Sequence, residues 1–354
     1  MLALALAIAT VDLFTQGTGG VHTYRIPALV ETKKGTLIAV ADARFDNSRD
    51  LPGRIALVMR RSFDRGRTWS ESRYIRQVSE GGVGDASLLL DRDTGRVWCF
   101  HAYGPPGIGF PTAQPGERTG ARTLQLHAMW SADDGATWSE PVDLTPQIKD
   151  PEWRAFFATS GTAIQTSKGR FLVPLVVREA DGKVSARNAY SDDHGKTWRA
   201  GAAIGAGTDE SHTVELADGT VVQNMRALRA GDTPPRRAIA VSRDGGVTFG
   251  AVGRDEALVD PSCNAGIVRL RRKGRDVLVF TNAASAKREN LTAKVSSDGG
   301  KTWSAGRTIH AGPAAYSTVI ELRDGSIGVL YERGEQYAAE RITFARFGLE
   351  WVGK

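Results

Sequence analysis

The sequence predicts an all-β chain: a six-bladed β-propeller with four-stranded antiparallel blades. Three observations predict it. One octapeptide recurs five times, the segments between its copies have strand length and composition, and no stretch sustains an apolar period of 3.6 residues.

The octapeptide reads SFDRGRTW at 62–69, SADDGATW at 131–138, SDDHGKTW at 191–198, SRDGGVTF at 242–249 and SSDGGKTW at 296–303. Successive copies start 69, 60, 51 and 54 residues apart, too regular for chance. Ser and Asp side chains hydrogen-bond nearby backbone N–H groups in tight turns. The shared Gly supplies a positive φ that other residues resist. The closing Trp or Phe buries its ring and pins the turn to a sheet. Each copy therefore reads as a hairpin clasp, so Asp64, Asp133, Asp193, Asp244 and Asp298 are structural rather than catalytic.

Along the chain, residues 2–11 are apolar but short. They read either as the core of a signal segment lacking its charged start or as a first β-strand. Runs such as TLIAVAD, IALVMRRS, RFLVPLVV, DVLVFTN and SIGVLYE then follow, separated by turn signals such as KKGT, DTGR and ADGT. Short strands repeating every 50 to 70 residues suit a propeller. Five boxed repeats, with unboxed strands at both ends, give six blades. The last would be closed by strands from the two termini, and 1–354 would form one domain.

The net charge is +6 and the isoelectric point about 9.4, but Arg is scattered among Asp and Glu with no basic tail. That pattern speaks against nucleic acid and suits an anionic substrate. The densest basic cluster, Arg271, Arg272, Lys273 and Arg275, reads as a solvated turn between strands. Cys99 and Cys263 are too few for a disulfide framework. His22, His101, His127, His194, His212 and His310 lack metal-ligand spacing. No run approaches the roughly 20 apolar residues of a membrane span.

Four further segments carry chemistry. They are Tyr24-Arg25-Ile26-Pro27-Ala28-Leu29, DESHTVELADGTVVQNMR at 209–226, KRENLTAKVSSDGGKTW at 287–303 and GPAAYSTVIELRDGSIGVLYE at 312–332. Together with the octapeptides, known as Asp-boxes, they resemble the signatures of bacterial-type exo-α-sialidases. The resemblance implies that Arg25, Arg226 and Arg288 bind a sugar carboxylate, for which planar bidentate donors are apt. It implies Tyr316 as nucleophile, Glu210 as its base and Glu332 as the brace of Arg25. A phenol avoids the repulsion that a carboxylate nucleophile would meet at an anomeric carbon already bearing one. With a pKa near 10 it needs a base to take its proton.

The general acid is implied to be an aspartate of the loop at 41–62, where Asp42, Asp46 and Asp50 compete. Asp50, 25 residues after Arg25, fits the family position best, with Asp46 as runner-up and Arg44 as a further arginine toward the substrate carboxylate. Trp153, Phe156 and Phe157 read either as an N-acyl pocket or as core. Asp85 reads as a substrate contact or a strand cap.

The resemblance thus implies a retaining exo-sialidase: a secreted or periplasmic monomer without metal or cofactor, acting on sialylated glycoproteins, glycolipids and oligosaccharides. Alternatives are a hydrolase of a deaminated sugar acid, a trans-sialidase and a non-catalytic carbohydrate-binding propeller.

Overall fold

The computed structural model describes residues 8–116, 118–227, 234–272 and 275–353. Residues 2–7 of the apolar N-terminal run and Lys273 of the basic cluster lie outside the described residues.

Burial grades across the first sheet, whose strands are Thr23–Glu31, Leu37–Arg44, Ile55–Ser62 and Arg73–Arg76. All residues of Leu37–Arg44 are buried, whereas Arg73–Arg76 is short, charged and largely exposed. A strand covered on both faces tolerates an unbroken apolar run. A short charged edge discourages further pairing.

The fold is all-β, with only two four-residue helices among the described residues. Its second sheet holds Gly82–Leu90, Val97–Gly104, Gln125–Ser131 and Val142–Asp143 in antiparallel order, and Gly161–Thr162 adds in parallel beside Gly82–Leu90. The third is built on Phe171–Arg178 and Val184–Ser191, and the fourth on Thr208–Glu215, Val221–Ala227, Arg236–Ser242 and Gly253–Val259. The last sheet has seven strands because one long strand, Arg307–Glu321, serves two neighbours. Its first half pairs with Glu289–Ser296 and its second with Ile327–Arg333. Ala9–Thr15 then pairs with Arg341–Phe347, so the part of the N-terminal run from Ala9 onward is a strand.

The core lies between sheets. Val40 and Leu57 of the first pack with Leu88 and Cys99 of the second, and Phe100 of the second with Phe171 of the third. Leu29 and Ala39 of the first sheet meet Leu330 and Phe344 of the last.

The five octapeptides are turns of one geometry. In the first, Ser62 Oγ accepts the Gly66 N–H at 2.8 Å and donates to Asp64 Oδ1 at 2.8 Å, while Thr68 Oγ1 donates to Asp64 Oδ2 at 2.6 Å. The equivalent Thr-to-Asp bond is 2.6 Å in each of the other four. These donors hold all five carboxyls down at about 2, against the opposing effect of burial.

The structure adds two features. Not only the shared Gly but also the residue before it has positive φ: Arg65, Asp134, His194, Gly245 and Gly299. The shared Gly also faces a neighbouring sheet. A Cβ on Gly66 would lie 2.1 Å from the Phe344 ring, and one on Gly135 2.7 Å from Ile38. His194 Nδ1 meets Asp91 Oδ2 at 3.2 Å, tying the third sheet's turn to the second.

Candidate active site

Strands of the first, fourth and last sheets bring their chemistry-bearing residues together. Arg25 stands near the start of Thr23–Glu31, Glu210 near the start of Thr208–Glu215, and Tyr316 midway along Arg307–Glu321. Each of these strands has a register irregularity next to its functional residue: between Arg25 and Ala28, between Thr208 and Ser211, and between Ala314 and Ser317. Bulges of this kind re-aim side chains that a regular pleat would send elsewhere.

Tyr316 is at the centre. Its hydroxyl donates to Glu210 Oε2 at 2.6 Å and lies 3.3 Å from Arg226 Nη1. The Arg25 guanidinium carbon is 5.1 Å from its ring centroid and that of Arg288 is 5.6 Å away. The three arginines therefore converge on one phenol. Arg226 Nη1 also donates to Glu210 Oε2 at 2.7 Å.

Burial pushes the Tyr316 hydroxyl well above the usual tyrosine range, and the adjacent Glu210 carboxylate adds to this. Burial likewise raises Glu210, only partly offset by Arg226. Burial disfavours the Arg226 cation, but Glu210, Tyr316 and Asp209 together outweigh it and hold it above its ordinary value.

Glu332 is fully buried. It accepts Arg25 Nε at 2.9 Å and Nη2 at 3.1 Å, the planar fork-to-fork pairing that suits arginine. The same carboxylate accepts the backbone N–H of Ile26 at 2.8 Å and of Tyr316 at 3.2 Å. It therefore ties the strand of Arg25 to that of Tyr316. Ile26 has φ of +63°, a conformation that bulky side chains rarely adopt.

The loop after Leu37–Arg44 separates the competing aspartates. Asp42 is buried, and burial carries it up to about 6 despite the opposing Arg44. Asp46 pairs with Arg54 at the surface, at 2.9 Å. Asp50 is 77% exposed and contacts Arg44 Nη2 at 2.7 Å. Arg44 is buried, and it spends its guanidinium on Asp42, on Asp50 and on the Ser48 carbonyl at 2.7 Å.

Trp153 and Phe156 are core side chains packed between the second and third sheets. Phe157 is half-buried against Phe110, beside Leu51 of the aspartate loop. Asp85 has φ of +59°, and its N–H donates to Asp42 Oδ1 at 3.0 Å. Burial raises its carboxyl well above the usual range, with Asp42 and Asp50 contributing.

Two residues here carry no site role in the sequence reading. Cys263 packs against Tyr316, and Ser262 touches both Arg226 and Arg288. The sequence shows no spacing or repeat that marks either.

A cavity of about 660 Å³ lies toward the other end of Thr23–Glu31, Thr208–Glu215 and Arg307–Glu321, walled by Leu29, Leu88, Ile164, Val214, Ile267 and Val319. None of the clustered residues lines it.

Fold and site together define a β-protein of the Asp-box type with an arginine-ringed tyrosine. The family model described as a BNR repeat-like domain matches residues 35–329. The chain is 40% identical over 368 residues to the sialidase of Micromonospora viridifaciens, covering 97% of this chain and 54% of that protein. It is 34% identical over 329 residues to the sialidase of Bacteroides fragilis, covering 87% and 60%. The solved structure of Hadza microbial sialidase Hz136 superposes with a TM-score of 0.88 at 30% identity, covering 97% of this chain and 69% of that one. The chain belongs to the BNR repeat-like family of bacterial-type sialidases. It spans only 54% and 60% of the two curated bacterial relatives.

Proposed function

We propose that the protein is an exo-sialidase, built as a six-bladed β-propeller, that hydrolyses terminal α-linked sialic acids with retention. The observation that carries the chemistry is the Tyr316–Glu210 hydrogen bond of 2.6 Å beneath three arginines. The six-bladed reading is supported by the cavity, which takes its walls from all five sheets, the last giving two strands, Gly266–Arg272 and Arg307–Glu321. It is supported too by the long strand that divides the seven-stranded sheet, and by Gly66 of the first sheet lying on Phe344 of the last.

In this reading Arg25, Arg226 and Arg288 take the carboxylate of the sugar. Asp50 gives a proton to the departing glycosidic oxygen. Tyr316 Oη bonds to the anomeric carbon as that bond breaks, and its proton passes to Glu210. Water then attacks the glycosyl-tyrosine and gives its proton to Asp50, while Glu210 returns the first proton to the phenol. Burial serves both partners: raising Glu210 makes it a stronger base, and raising Tyr316 keeps the phenol neutral until attack. Two inversions at one carbon give net retention. The substrates are sialylated glycoproteins, glycolipids and oligosaccharides. The family relatives named as sialidases support this class.

The test is trapping with a fluorinated sialosyl donor, which slows the second step. Peptide mass spectrometry should find the adduct on the peptide containing Tyr316, and Tyr316→Phe should form none. An adduct on Asp50, or inverted product by NMR, defeats the assignment.

A further inference from the structure

Three arginines around one phenol repel each other, and their side chains are long and flexible. A site that binds one planar anion needs them fixed before the anion arrives, since ordering them on binding costs affinity. Arg25 is fixed by Glu332. Arg226 lies on Val221–Ala227 of the fourth sheet and Arg288 in the bend just before Glu289–Ser296 of the last, and neither has Glu332 as a hydrogen-bond partner.

What they share is Ser262. The Ser262 hydroxyl oxygen accepts Arg226 Nε at 3.1 Å, and its backbone carbonyl accepts Arg288 Nη2 at 2.8 Å. Its backbone is left-handed, with φ of +56°, a conformation that only the surroundings can impose on serine. Those surroundings are specific. Asp260 accepts the Cys263 N–H on Oδ1 at 3.1 Å and the Ala227 N–H on Oδ2 at 2.8 Å. One carboxylate thus ties the turn that carries Ser262 to the residue next to Arg226. Arg237, wholly buried, faces Asp260 Oδ1 at 3.4 Å. It also donates to the Cys263 carbonyl at 2.8 Å and, through Nε, to Asn224 Oδ1 at 2.7 Å.

We infer that Ser262 is a positioning residue, held in a strained turn by the buried Arg237–Asp260 pair, that sets the spacing of Arg226 and Arg288 for a single carboxylate. The inference rests on the reading above, that these two arginines bind the sugar carboxylate. It goes beyond that reading in naming what orients them.

The test compares Ser262→Ala, Ser262→Gly and Ser262→Asn with Arg288→Ala. Each is measured for KM and kcat on an aryl sialoside and for the inhibition constant of a 2,3-unsaturated sialic acid. Glycine suits the positive φ and keeps the carbonyl, so Ser262→Gly removes the hydroxyl without straining the fold. Both Ser262→Ala and Ser262→Gly should raise KM and the inhibition constant by about tenfold, the size of one lost hydrogen bond to a charged group, with a smaller change in kcat. Asparagine tolerates the left-handed conformation and offers a side-chain oxygen, so Ser262→Asn should recover part of the loss. If Arg288→Ala weakens the inhibitor while Ser262→Gly matches the wild type, the positioning role is overturned. Equal loss in all three Ser262 variants together with a lowered unfolding midpoint also overturns it, in favour of a purely structural role. Should Arg288→Ala leave the inhibitor unaffected, the carboxylate reading itself falls, and the inference with it.

Discussion

Replacing Glu332 with alanine should damage folding and binding at once. Its two oxygens accept four N–H donors: Arg25 Nε and the Ile26 amide on Oε1, and Arg25 Nη2 and the Tyr316 amide on Oε2. Removing one member of a buried ion pair costs about 3–5 kcal/mol, because the other charge is left without compensation. That is a large fraction of the roughly 5–15 kcal/mol by which a native protein is stable. Glu332→Gln keeps the volume but has one oxygen. Whichever way its amide is turned, two donors face an NH2 group. It should therefore also be clearly destabilised, though less than the alanine variant. The assay is urea unfolding of the single variants, Arg25→Ala and the double variant Arg25→Ala/Glu332→Ala. The double variant buries no orphan charge and should be more stable than Glu332→Ala alone. Both single Glu332 variants should also bind a sialic-acid-like inhibitor more weakly, since Arg25 loses its brace. Wild-type midpoints for Glu332→Gln, or a double variant weaker than either single one, would refute the reasoning.

Asp50→Ala should slow natural sialosides far more than aryl sialosides with good leaving groups, because a good leaving group departs without a proton; equal loss on both would point to Asp46 or another acid. Gly66→Ala should be strongly destabilising, because its Cβ would fall 2.1 Å from the Phe344 ring at a φ of +83°. Gly17→Ala, at φ +73° with nothing within 4 Å, serves as control and should cost only the backbone strain of about 1–2 kcal/mol. Matching thermal midpoints for the two would mean that the first sheet does not lean on the last through this turn.

Much of the frame was legible because it is local. The Asp-box turn is made by bonds that Thr68 donates to Asp64 and the Gly66 N–H donates to Ser62, within four residues, so the pattern of residues specifies it wherever it occurs. Strand lengths and turns were readable for the same reason. The motif residues Arg25, Arg226, Arg288, Tyr316, Glu210 and Glu332 were legible through family resemblance, not through spacing.

Their geometry was not legible. Glu332 reaches Arg25 across 307 positions of sequence, and Tyr316 reaches Glu210 across 106. The choice for Trp153 and Phe156 between pocket and core was open in the sequence, since an aromatic residue suits both. Packing between the second and third sheets decided it. Arg44 read as a further arginine toward the substrate carboxylate, and its contacts with Asp42, Asp50 and the Ser48 carbonyl came only with the fold.

By itself, then, the sequence determined the repeated turn, the β character and the residue types for recognising an anionic sugar. Those depend on side chains acting on neighbours within a few residues. Only the tertiary structure decided which arginine touches which carboxylate, why Ser262 is held left-handed, and where Asp260 ties one strand to another. Such contacts exist only once distant strands are packed side by side, and no feature of the intervening chain records them.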